Sequence, residues 1–397
     1  MWDFGKKVSK RRAVIFTLSK MQNKLIDTIR EPDHRVLIQK IVLSVVLLMP
    51  IFLFAQKCDS TKKKSSVAVF PAISFAPETN LQFGVAAVLV LKGNKENPSA
   101  YLRQSTLSPF FLYTLKNQII SAINLTYFTP NGKLLDGSVR YLNFPDAYFG
   151  IGNDNDPDVF EVYTNTFLQL RGAYLKSTSA KTFLGIGWDA QFNDVRRIVP
   201  DGRLESDNVA GIDGGFLLGL GPAMRYDTRN NTIYPSKGYF VTLSALFTYL
   251  GDFSYTNYSI DARKYISLWN EDNILAFQLF SGMNTGANIP FYKLPQLGGD
   301  DRLRGISNAS LYRDRQMVYF QAEYRIPLFW RFGMVAFAGV GDVAGGFGDF
   351  NVSEFKYVFG MGGRMAVISE DKLNLRLDLG VARGGQIGIY AGISEAF

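Results

Sequence analysis

The chain of 397 residues has one cysteine, Cys58, and one histidine, His34. A single cysteine cannot form an intramolecular disulfide, and His34 precedes an apolar run with the features of a cleavable leader. Triads that need histidine and zinc sites with histidine ligands are therefore excluded from the body, which also has no GxSxG, HExxH or GxxxxGK[ST] motif. We expect a protein that is not an enzyme and uses no metal or other cofactor, although a site of carboxylates alone, or of Ser and Lys, is formally left open.

Long apolar runs are also absent. The longest covers residues 41–55 and is interrupted by Ser44 and Pro50, whereas a spanning helix needs roughly 18 or more apolar residues. A protein with several spanning helices is therefore excluded. The formal charge is +8, but residues 1–56 hold ten Lys or Arg against four Asp or Glu, so the body is almost neutral and we expect no nucleic-acid partner.

The beginning of the chain predicts export. Arg35 and Lys40 precede the apolar run, and Phe54-Ala55-Gln56 offers a small residue for cleavage before a polar stretch. A membrane anchor is the alternative, which the short run and its proline disfavour. The basic prefix before the signal is best explained by a true start at Met21 or later. The predicted organisation is a prefix over 1–34, a signal peptide over 35–56, a short periplasmic segment over 57–66 and a barrel over 67–397.

From Val67 onward, apolar residues recur with a period of two, which is typical of strands with one apolar and one polar face. Sixteen such segments cover 67–75, 80–92, 101–113, 117–129, 134–143, 161–174, 182–193, 214–226, 238–249, 253–268, 273–286, 316–329, 332–345, 355–368, 372–383 and 386–397. Strands of roughly ten residues, even in number, suit a membrane barrel. The predicted fold class is all-β, a sixteen-stranded antiparallel transmembrane β-barrel preceded by a signal peptide.

The connections support this count. The three long ones, over 144–160, 194–213 and 287–315, all follow odd-numbered strands, so an antiparallel barrel would carry them at one end as extracellular loops. Alternation alone does not separate a membrane barrel from a soluble β-sandwich or propeller. The export signal, the aromatic-rich apolar faces and the terminal Phe397 favour the barrel.

Five strings in the second half of the body carry a family resemblance. They are Leu297-Gly-Gly-Asp-Asp-Arg-Leu-Arg-Gly-Ile306 with the following Tyr312-Arg-Asp-Arg315 and Ala322-Glu-Tyr-Arg-Ile-Pro-Leu328, Tyr226-Asp-Thr-Arg-Asn-Asn-Thr-Ile-Tyr-Pro-Ser-Lys-Gly-Tyr239, and Ile389-Tyr-Ala-Gly-Ile-Ser-Glu-Ala-Phe397. Together they resemble the bacterial surface antigen barrels of the BamA/TamA outer-membrane assembly superfamily. The resemblance implies a bacterial outer-membrane location, outer-membrane lipid and the barrel assembly machinery as partners, and Phe397 as the end of a terminal assembly signal.

The string over 226–239 predicts local structure rather than chemistry. Asp227 and Arg229 are two residues apart, so they face the same way and can pair at the strand end. Pro235 and Gly238 have turn chemistry, because proline fixes φ and glycine accepts positive φ. We expect all four residues to be structural.

The resemblance assigns a loop-anchoring role to Arg304-Gly305. In the family this motif lies on the sixth extracellular loop, between the eleventh and twelfth strands, and the loop folds into the lumen, where acidic groups hold the arginine. A guanidinium keeps its charge and forks onto carboxylates, so one arginine can fix a long loop. An exposed loop cation is the alternative interpretation of Arg304.

The expected acceptors are Asp378 and Glu323, which alternation places on lumen-facing polar sides. The same sides carry further charges, namely Arg325, Arg364 and Arg376. The family usually has an acid in a Phe-x-Asp-x-Gly pattern on the thirteenth strand, but this chain has Gly339 at that place. Asp342 falls on the opposite face, so Asp378 or Glu323 would have to substitute.

The functional prediction follows from the resemblance. Family members that insert or secrete proteins usually carry POTRA domains before the barrel, whereas residues 57–66 leave no room for one, so we expect a barrel without them. The predicted role is outer-membrane protein assembly and insertion, or protein translocation, with protein clients or a periplasmic accessory subunit as partners. Pro71, Gly388 and Gly392 would weaken the seam between the first and last strands. The alternative is a channel or structural surface antigen without clients.

Overall fold

The computed structural model of the chain describes residues 65–76, 80–91, 103–115, 118–368 and 372–397. All of them belong to one unit, residues 63–397. The predicted prefix, the signal peptide and most of the short periplasmic segment lie outside the described residues, so those interpretations stay predictions.

The described residues form one antiparallel sheet of sixteen strands, each paired with its neighbours in chain order, which confirms the predicted fold. The strands are β1 (Ser66–Ala76), β2 (Asn80–Leu91), β3 (Ser105–Thr114), β4 (Ile119–Phe128), β5 (Lys133–Tyr148), β6 (Glu161–Ser177), β7 (Thr182–Arg196), β8 (Gly215–Asp227), β9 (Gly238–Gly251), β10 (Ser254–Ser267), β11 (Ile274–Asn288), β12 (Gln316–Pro327), β13 (Phe332–Ala344), β14 (Lys356–Ile368), β15 (Leu373–Ala382) and β16 (Ile387–Ile393). Strands that are adjacent in the sheet are also consecutive in the chain, so the sheet contains no crossover.

In the part of the chain that the structure describes, helical structure is confined to the connections. Its one α-helical turn, α1 (Arg203–Ser206), lies between β7 and β8. Four 3₁₀ turns cover Phe291–Lys293, Ala309–Leu311, Phe347–Asp349 and Val352–Glu354. None of the helices in the described ranges has the length and apolar character needed to cross a membrane.

The two faces of the sheet have opposite chemistry, and the apolar face is the exposed one. On β12, Phe320 is 44% exposed while its neighbours Gln321 and Glu323 are 3% and 0% exposed. On β15, Leu377 is exposed and Asp378 is fully buried. A soluble sandwich would bury its leucines between sheets, whereas a barrel in lipid turns them outward and keeps its charges in the lumen. The burial pattern therefore agrees with the barrel and not with the sandwich.

Several strand boundaries differ from the sequence prediction by a few residues, and the differences at the ends of β5 and β16 bear on the lumen. β5 runs to Tyr148 rather than to residue 143, since Pro145 is accommodated opposite Thr164 of β6 and does not stop the ladder. β16 ends at Ile393 rather than at residue 397, because the backbone of Ser394 has a positive φ of 69° and turns away from the strand direction. The second difference decides the position of the C-terminus.

The ends of the sheet approach each other through side chains. Val88 and Val90 of β2 form a buried cluster with Leu373 of β15, and Ala68 of β1 and Ile393 of β16 pack against it. Within the described ranges, however, the backbone of β1 pairs only with β2 and that of β16 only with β15. The seam of the barrel is thus packed but has no ladder of hydrogen bonds among these residues.

Candidate functional site

The loop between β11 and β12, residues 289–315, enters the lumen and packs on its wall. Leu297, Leu303 and Ile306 of this β11–β12 loop are fully buried. They form one apolar cluster with side chains of the surrounding strands, namely Met317, Tyr319, Val343, Val358 and Ala382. Fully burying one leucine or isoleucine side chain contributes about 1.5–3 kcal/mol, so the loop is attached to the wall and does not lie free above it.

Arg304 lies inside this loop, between two carboxylates on strands β12 and β15 of the wall. Its Nη1 donates to Oδ2 of Asp378 on β15 at 2.5 Å, and its Nη2 donates to Oε2 of Glu323 on β12. All three side chains are fully buried. The ring of Phe337 on β13 lies under the guanidinium, 3.9 Å from Cζ to the ring centroid. The structure thus brings together Arg304 and both of the acids that the sequence offered as alternatives.

The loop backbone touches the wall directly at Gly380 of β15. A Cβ on Gly380 would lie 2.0 Å from the carbonyl oxygen of Arg304, so only glycine allows this approach. Gly305 follows with a φ of 146° and lies against the backbone of Val381. The Tyr390 hydroxyl of β16 accepts from the Gly305 amide at 3.3 Å and donates to the Ile306 carbonyl at 2.9 Å. The motif glycine therefore serves close backbone contact.

Gly339, which stands where the family usually has an acid, lies against a side chain of the loop. A Cβ at Gly339 would lie 2.5 Å from Cδ2 of Leu303. The space that an acidic side chain would need is therefore filled by the leucine beside Arg304. Asp342 lies an odd number of residues further along β13 and so has its side chain on the other face of the strand. It accepts a hydrogen bond from Asn153 at 3.0 Å and lies 3.4 Å from the Lys356 ammonium, so it makes its contacts away from Arg304.

The predicted lumen charges extend the contacts of Arg304 into an ionic cluster, which comprises Arg304, Glu323, Arg325, Arg364, Arg376, Asp378 and Glu395. Arg364 donates to Asp378 at 2.5 Å and to Glu395 at 2.7 Å. Arg376 donates to Asp378 at 3.2 Å and also to the main-chain carbonyl of Asp300 in the loop at 2.7 Å. Buried charges are tolerated when they are paired, and shared carboxylates pair every arginine of this cluster. One nitrogen of each of these guanidiniums has no hydrogen-bond partner among the described residues.

The last four residues, 394–397, belong to this cluster and not to a strand. Glu395 accepts from Asn374 at 2.8 Å as well as from Arg364. Phe397 is buried beside Tyr265 of β10 and Ala276 of β11, and its main-chain carbonyl accepts from Nη2 of Arg325 at 2.7 Å. The predicted strand over 386–397 was therefore too long, since the chain bends into the lumen after Ile393. The role of Phe397 as an assembly signal stays a prediction.

A second arginine, Arg313, holds the other side of the β11–β12 loop. It is fully buried, its Nη2 lies 3.7 Å from Asp146 of β5, and its backbone pairs with that of Gly152. Ser310 donates to the same Asp146 at 3.0 Å. The loop thus contacts the walls on both sides of the lumen.

Lys293 makes a third attachment, at the start of the same loop. Its Nζ donates to Asp189 of β7 at 2.6 Å and to Gln191 at 3.0 Å. Burial lowers the pKa of Lys293, and the carboxylate of Asp189 opposes that shift. The ion pair keeps a buried ammonium in contact with its counter-charge.

The string over 226–239 lies at the opposite end of the barrel, where the short turns are. Arg229 donates to Asp227 at 2.9 Å, and Arg103 lies 2.9 Å from the same buried carboxylate. Gly238 has a φ of 109° and a Cβ there would meet the carbonyl of Thr228 at 2.3 Å, while Pro235 is buried in the turn. The structure does not bring these residues to Arg304.

Sequence reasoning missed several contacts of the site. Gln321 and Tyr390 lie on the lumen side of their strands, so alternation carried a signal for both. Arg313 and Lys293 carry no pattern that distinguishes them from solvated loop cations, and Glu395 was assigned to a strand. Among the described residues, no group of His, Cys, Asp or Glu side chains is arranged to hold a metal ion.

Comparisons with known proteins agree with this architecture. Residues 107–397 match the model of the Omp85 superfamily domain. No curated protein matches the sequence at a significant level.

Solved barrels provide the structural relatives. BamA from Haemophilus ducreyi lacking POTRA domains 1–3 is 14% identical with a TM-score of 0.54, and the match covers 85% of this chain and 74% of that one. CdiB from Acinetobacter baumannii is 11% identical with a TM-score of 0.50, covering 83% and 65%. CdiB from Escherichia coli is 10% identical with a TM-score of 0.51, covering 84% and 63%. This chain thus spans less than two thirds of either CdiB.

The family match extends over most of the chain, the sixteen-stranded sheet has the fold of the BamA and CdiB barrels, and the apolar face is outermost. The predicted resemblance and the predicted location are thereby confirmed. The chain belongs to the Omp85 superfamily and is an outer-membrane β-barrel.

Proposed function

We propose that this protein assists the insertion of other β-barrel proteins into the outer membrane, through the seam between β1 and β16, without catalysing a chemical reaction. The observation that carries the proposal is the pair of strand edges at that seam. Within the described ranges, β1 and β16 each have a backbone ladder on one side only. Outer-membrane lipid would surround the seam, and unfinished client strands would be its partners.

Physical chemistry makes such an edge reactive toward another strand. In lipid no water is available to satisfy free N–H and C=O groups, and each unsatisfied group costs several kcal/mol. An incoming strand that pairs with an edge removes that cost, which is the principle of strand addition. Pro71 in β1 removes one donor and β16 has only seven residues, so both edges bind each other weakly.

The contacts of the loop in the lumen favour the seam over the pore as the path of a client polypeptide. The β11–β12 loop occupies part of the lumen and is attached to its wall at Lys293, Arg304 and Arg313. A polypeptide passing through the pore would have to break these buried ion pairs, whereas a strand added at the seam leaves them intact. Translocation of a client through the lumen is therefore the less favoured form of the proposal.

The decisive experiment combines depletion with site-specific crosslinking. A photo-crosslinking residue replaces Val69 on β1 or, as a matched control, Tyr174 on β6, which also faces outward and is exposed. Depletion should reduce the amount of folded outer-membrane proteins, and Val69 should crosslink to newly made barrel proteins much more than Tyr174. Unchanged protein levels together with equal crosslinking at the two positions would contradict the proposal and favour a structural or channel role. A periplasmic accessory subunit that delivers clients would be recovered as a crosslinked partner of the barrel end that carries the short turns.

A further inference from the structure

A water-accessible chamber lies under the β11–β12 loop and has an unbalanced charge. Its volume is about 460 Å³, and it is lined by strands β5 to β7, β9 to β12 and the loop. The basic side chains in its lining are Arg140, Arg171, Lys293 and Arg302, and the acidic ones are Asp146 and Asp189. The chamber belongs neither to the ionic cluster around Arg304 nor to the seam.

Two of these four cations have no carboxylate partner among the described residues. Lys293 is paired with Asp189, and Arg302 lies 3.3 Å from Asp301. Asp146 is engaged by Arg313, Ser310 and Tyr163. Arg140 and Arg171 are left, and both are exposed to the lumen.

The acids that could neutralise these two arginines are already occupied. Asp189 lies directly opposite Arg171 in the sheet register, but its oxygens accept from Lys293 at 2.6 Å and Gln169 at 2.8 Å. Asp300 and Asp301 of the loop are near enough to act on Arg140, yet Asp300 is 3.2 Å from Arg376. The excess positive charge in the chamber is therefore not cancelled by the wall.

The two guanidiniums are arranged as neighbours on one face. Arg140 of β5 pairs in register with Gln169 of β6, and Arg171 is two residues further along β6, so it is the diagonal neighbour of Arg140 on the lumen side. Such diagonal neighbours have Cα atoms roughly 7–8 Å apart, within reach of one another's long side chains. Two forked donor groups at this spacing can hold one small anion with several oxygens between them.

The chamber has a way in from the turn end of the barrel. A second cavity of about 350 Å³ shares Arg171 and Ser259 with it, and a third of about 320 Å³ shares Asp136 and Arg225 with the second and extends to Phe397. The cations that line those lower cavities are paired, Arg225 with Asp136 and Arg263 with Asp261. An anion entering there would meet its first unpaired guanidiniums at Arg171 and Arg140.

We propose that Arg140 and Arg171 form a binding site for a phosphate-bearing anion in the lumen. The ligand is either a free phosphate compound or the phosphate headgroup of a lipid, since both present the same tetrahedral oxygens to the guanidiniums. Arg140 and Arg171 hold the phosphate oxygens, and Lys293 stays on Asp189.

The site can be tested by calorimetric titration of the full chain, purified in a nonionic detergent. The two probes are inorganic pyrophosphate and the short-chain lipid dihexanoyl phosphatidic acid. At least one probe should bind at low salt, and the double variant R140Q/R171Q should weaken that binding at least about tenfold. Binding of pyrophosphate alone identifies a free anion, and binding of the lipid alone identifies a headgroup.

Matched variants separate a specific loss of binding from a loss of folding. R331Q removes an exposed arginine from a turn at the opposite end of the barrel, and its affinity should equal that of the unchanged protein. R140K/R171K keeps both charges but loses the forks, so it should fold and bind several-fold more weakly. Heat-dependent gel mobility checks that each variant is folded. Failure of both probes to bind, or equal binding by the folded R140Q/R171Q variant, would overturn the proposal.

Discussion

Arg325 joins the C-terminus to the carboxylate that holds Arg304. Its Nη2 donates to the main-chain carbonyl of Phe397 at 2.7 Å, while its Nε donates to Glu323 at 2.8 Å. Glu323 in turn accepts from Arg304. The end of the chain and the β11–β12 loop therefore share one buried set of charges, although Arg304 and Phe397 are 93 positions apart in the sequence.

Arg304 and Glu395 should be thermodynamically coupled, because Arg364 contacts both Glu395 and the Asp378 that holds Arg304. The variants R304K and E395Q each weaken the ionic cluster, so their combined effect on the free energy of unfolding should differ from the sum by about 0.5–3 kcal/mol. A double-mutant cycle on the purified barrel measures this difference. The control cycle pairs R304K with D136N, because Asp136 contacts Arg225 elsewhere in the lumen, and it should be additive. Additivity in both cycles would mean that the tail and the loop are independent.

Removing the Arg304 side chain should destabilise the barrel strongly. R304A removes one of the guanidiniums that hold the buried carboxylates of Glu323 and Asp378. Removing one partner of a buried ion pair costs about 3–5 kcal/mol, and the arginines that still contact the two acids reduce this cost. The temperature at which the folded gel mobility is lost should fall accordingly. The control R302A removes a partly exposed arginine of the same loop and should change this temperature little. A similar shift for both variants would indicate that Arg304 is only a solvated loop cation.

Adding one methyl group to Gly380 should detach the loop. The new Cβ of G380A would overlap the Arg304 carbonyl, so the loop backbone must move away from β15. Trypsin should then cut the β11–β12 loop much faster at Arg302 or Arg304. G363A is a suitable control, since nothing lies within 4 Å of a Cβ at that position of β14. Equal cleavage rates in the two variants would show that the loop does not depend on this contact.

The β1 and β16 edges should exchange their amide hydrogens faster than paired strands do. Exchange requires only local opening where one side of a strand lacks a ladder, whereas β5 and β6 share sixteen paired positions. Hydrogen exchange followed by mass spectrometry, on the barrel in detergent, should therefore rank peptides from β16 well ahead of those from β6. Equal protection would indicate that the seam closes with a full ladder.

Deleting the β11–β12 loop should open the pore. Residues 289–315 obstruct the lumen and are held there at three attachment points. Replacing them with a short linker should therefore raise the conductance of the barrel in planar bilayers. The unchanged protein should conduct little by comparison. High conductance of the unchanged protein would favour the channel alternative over insertion through the seam.

Much of the fold could be predicted from the sequence, because a strand with one face toward lipid and one toward the lumen must alternate apolar and polar residues. Val318 to Leu328 alternates so regularly that the outward Phe320 and the inward Glu323 could be assigned without coordinates, and the structure agrees. Boundaries were harder to predict: the strand expected over 134–143 runs on to Tyr148, because β6 continues to pair with β5 beyond Asn143, where pairing with β4 ends. In the tail after Ile393 the alternation breaks, because Glu395 falls on the outward parity of Ile387 and Ile389, but the pattern does not show that the chain turns at Ser394.

The site itself was only partly accessible. Arg304 was identified through a family motif, and Glu323 and Asp378 through the face on which they lie. Two facts depend on three-dimensional packing alone. Leu303 fills the space above Gly339, and Arg304 contacts both acids at once rather than one of the two. Neither a steric fit nor a shared acceptor leaves a periodic trace in the sequence.

The even strand count has a directional consequence for any guest at the seam. β1 and β16 run in opposite directions, so a lone guest strand that is antiparallel to one of them must be parallel to the other. A guest hairpin offers one antiparallel neighbour to each side at once. Substrates that enter as hairpins therefore fit this opening better than substrates that enter one strand at a time.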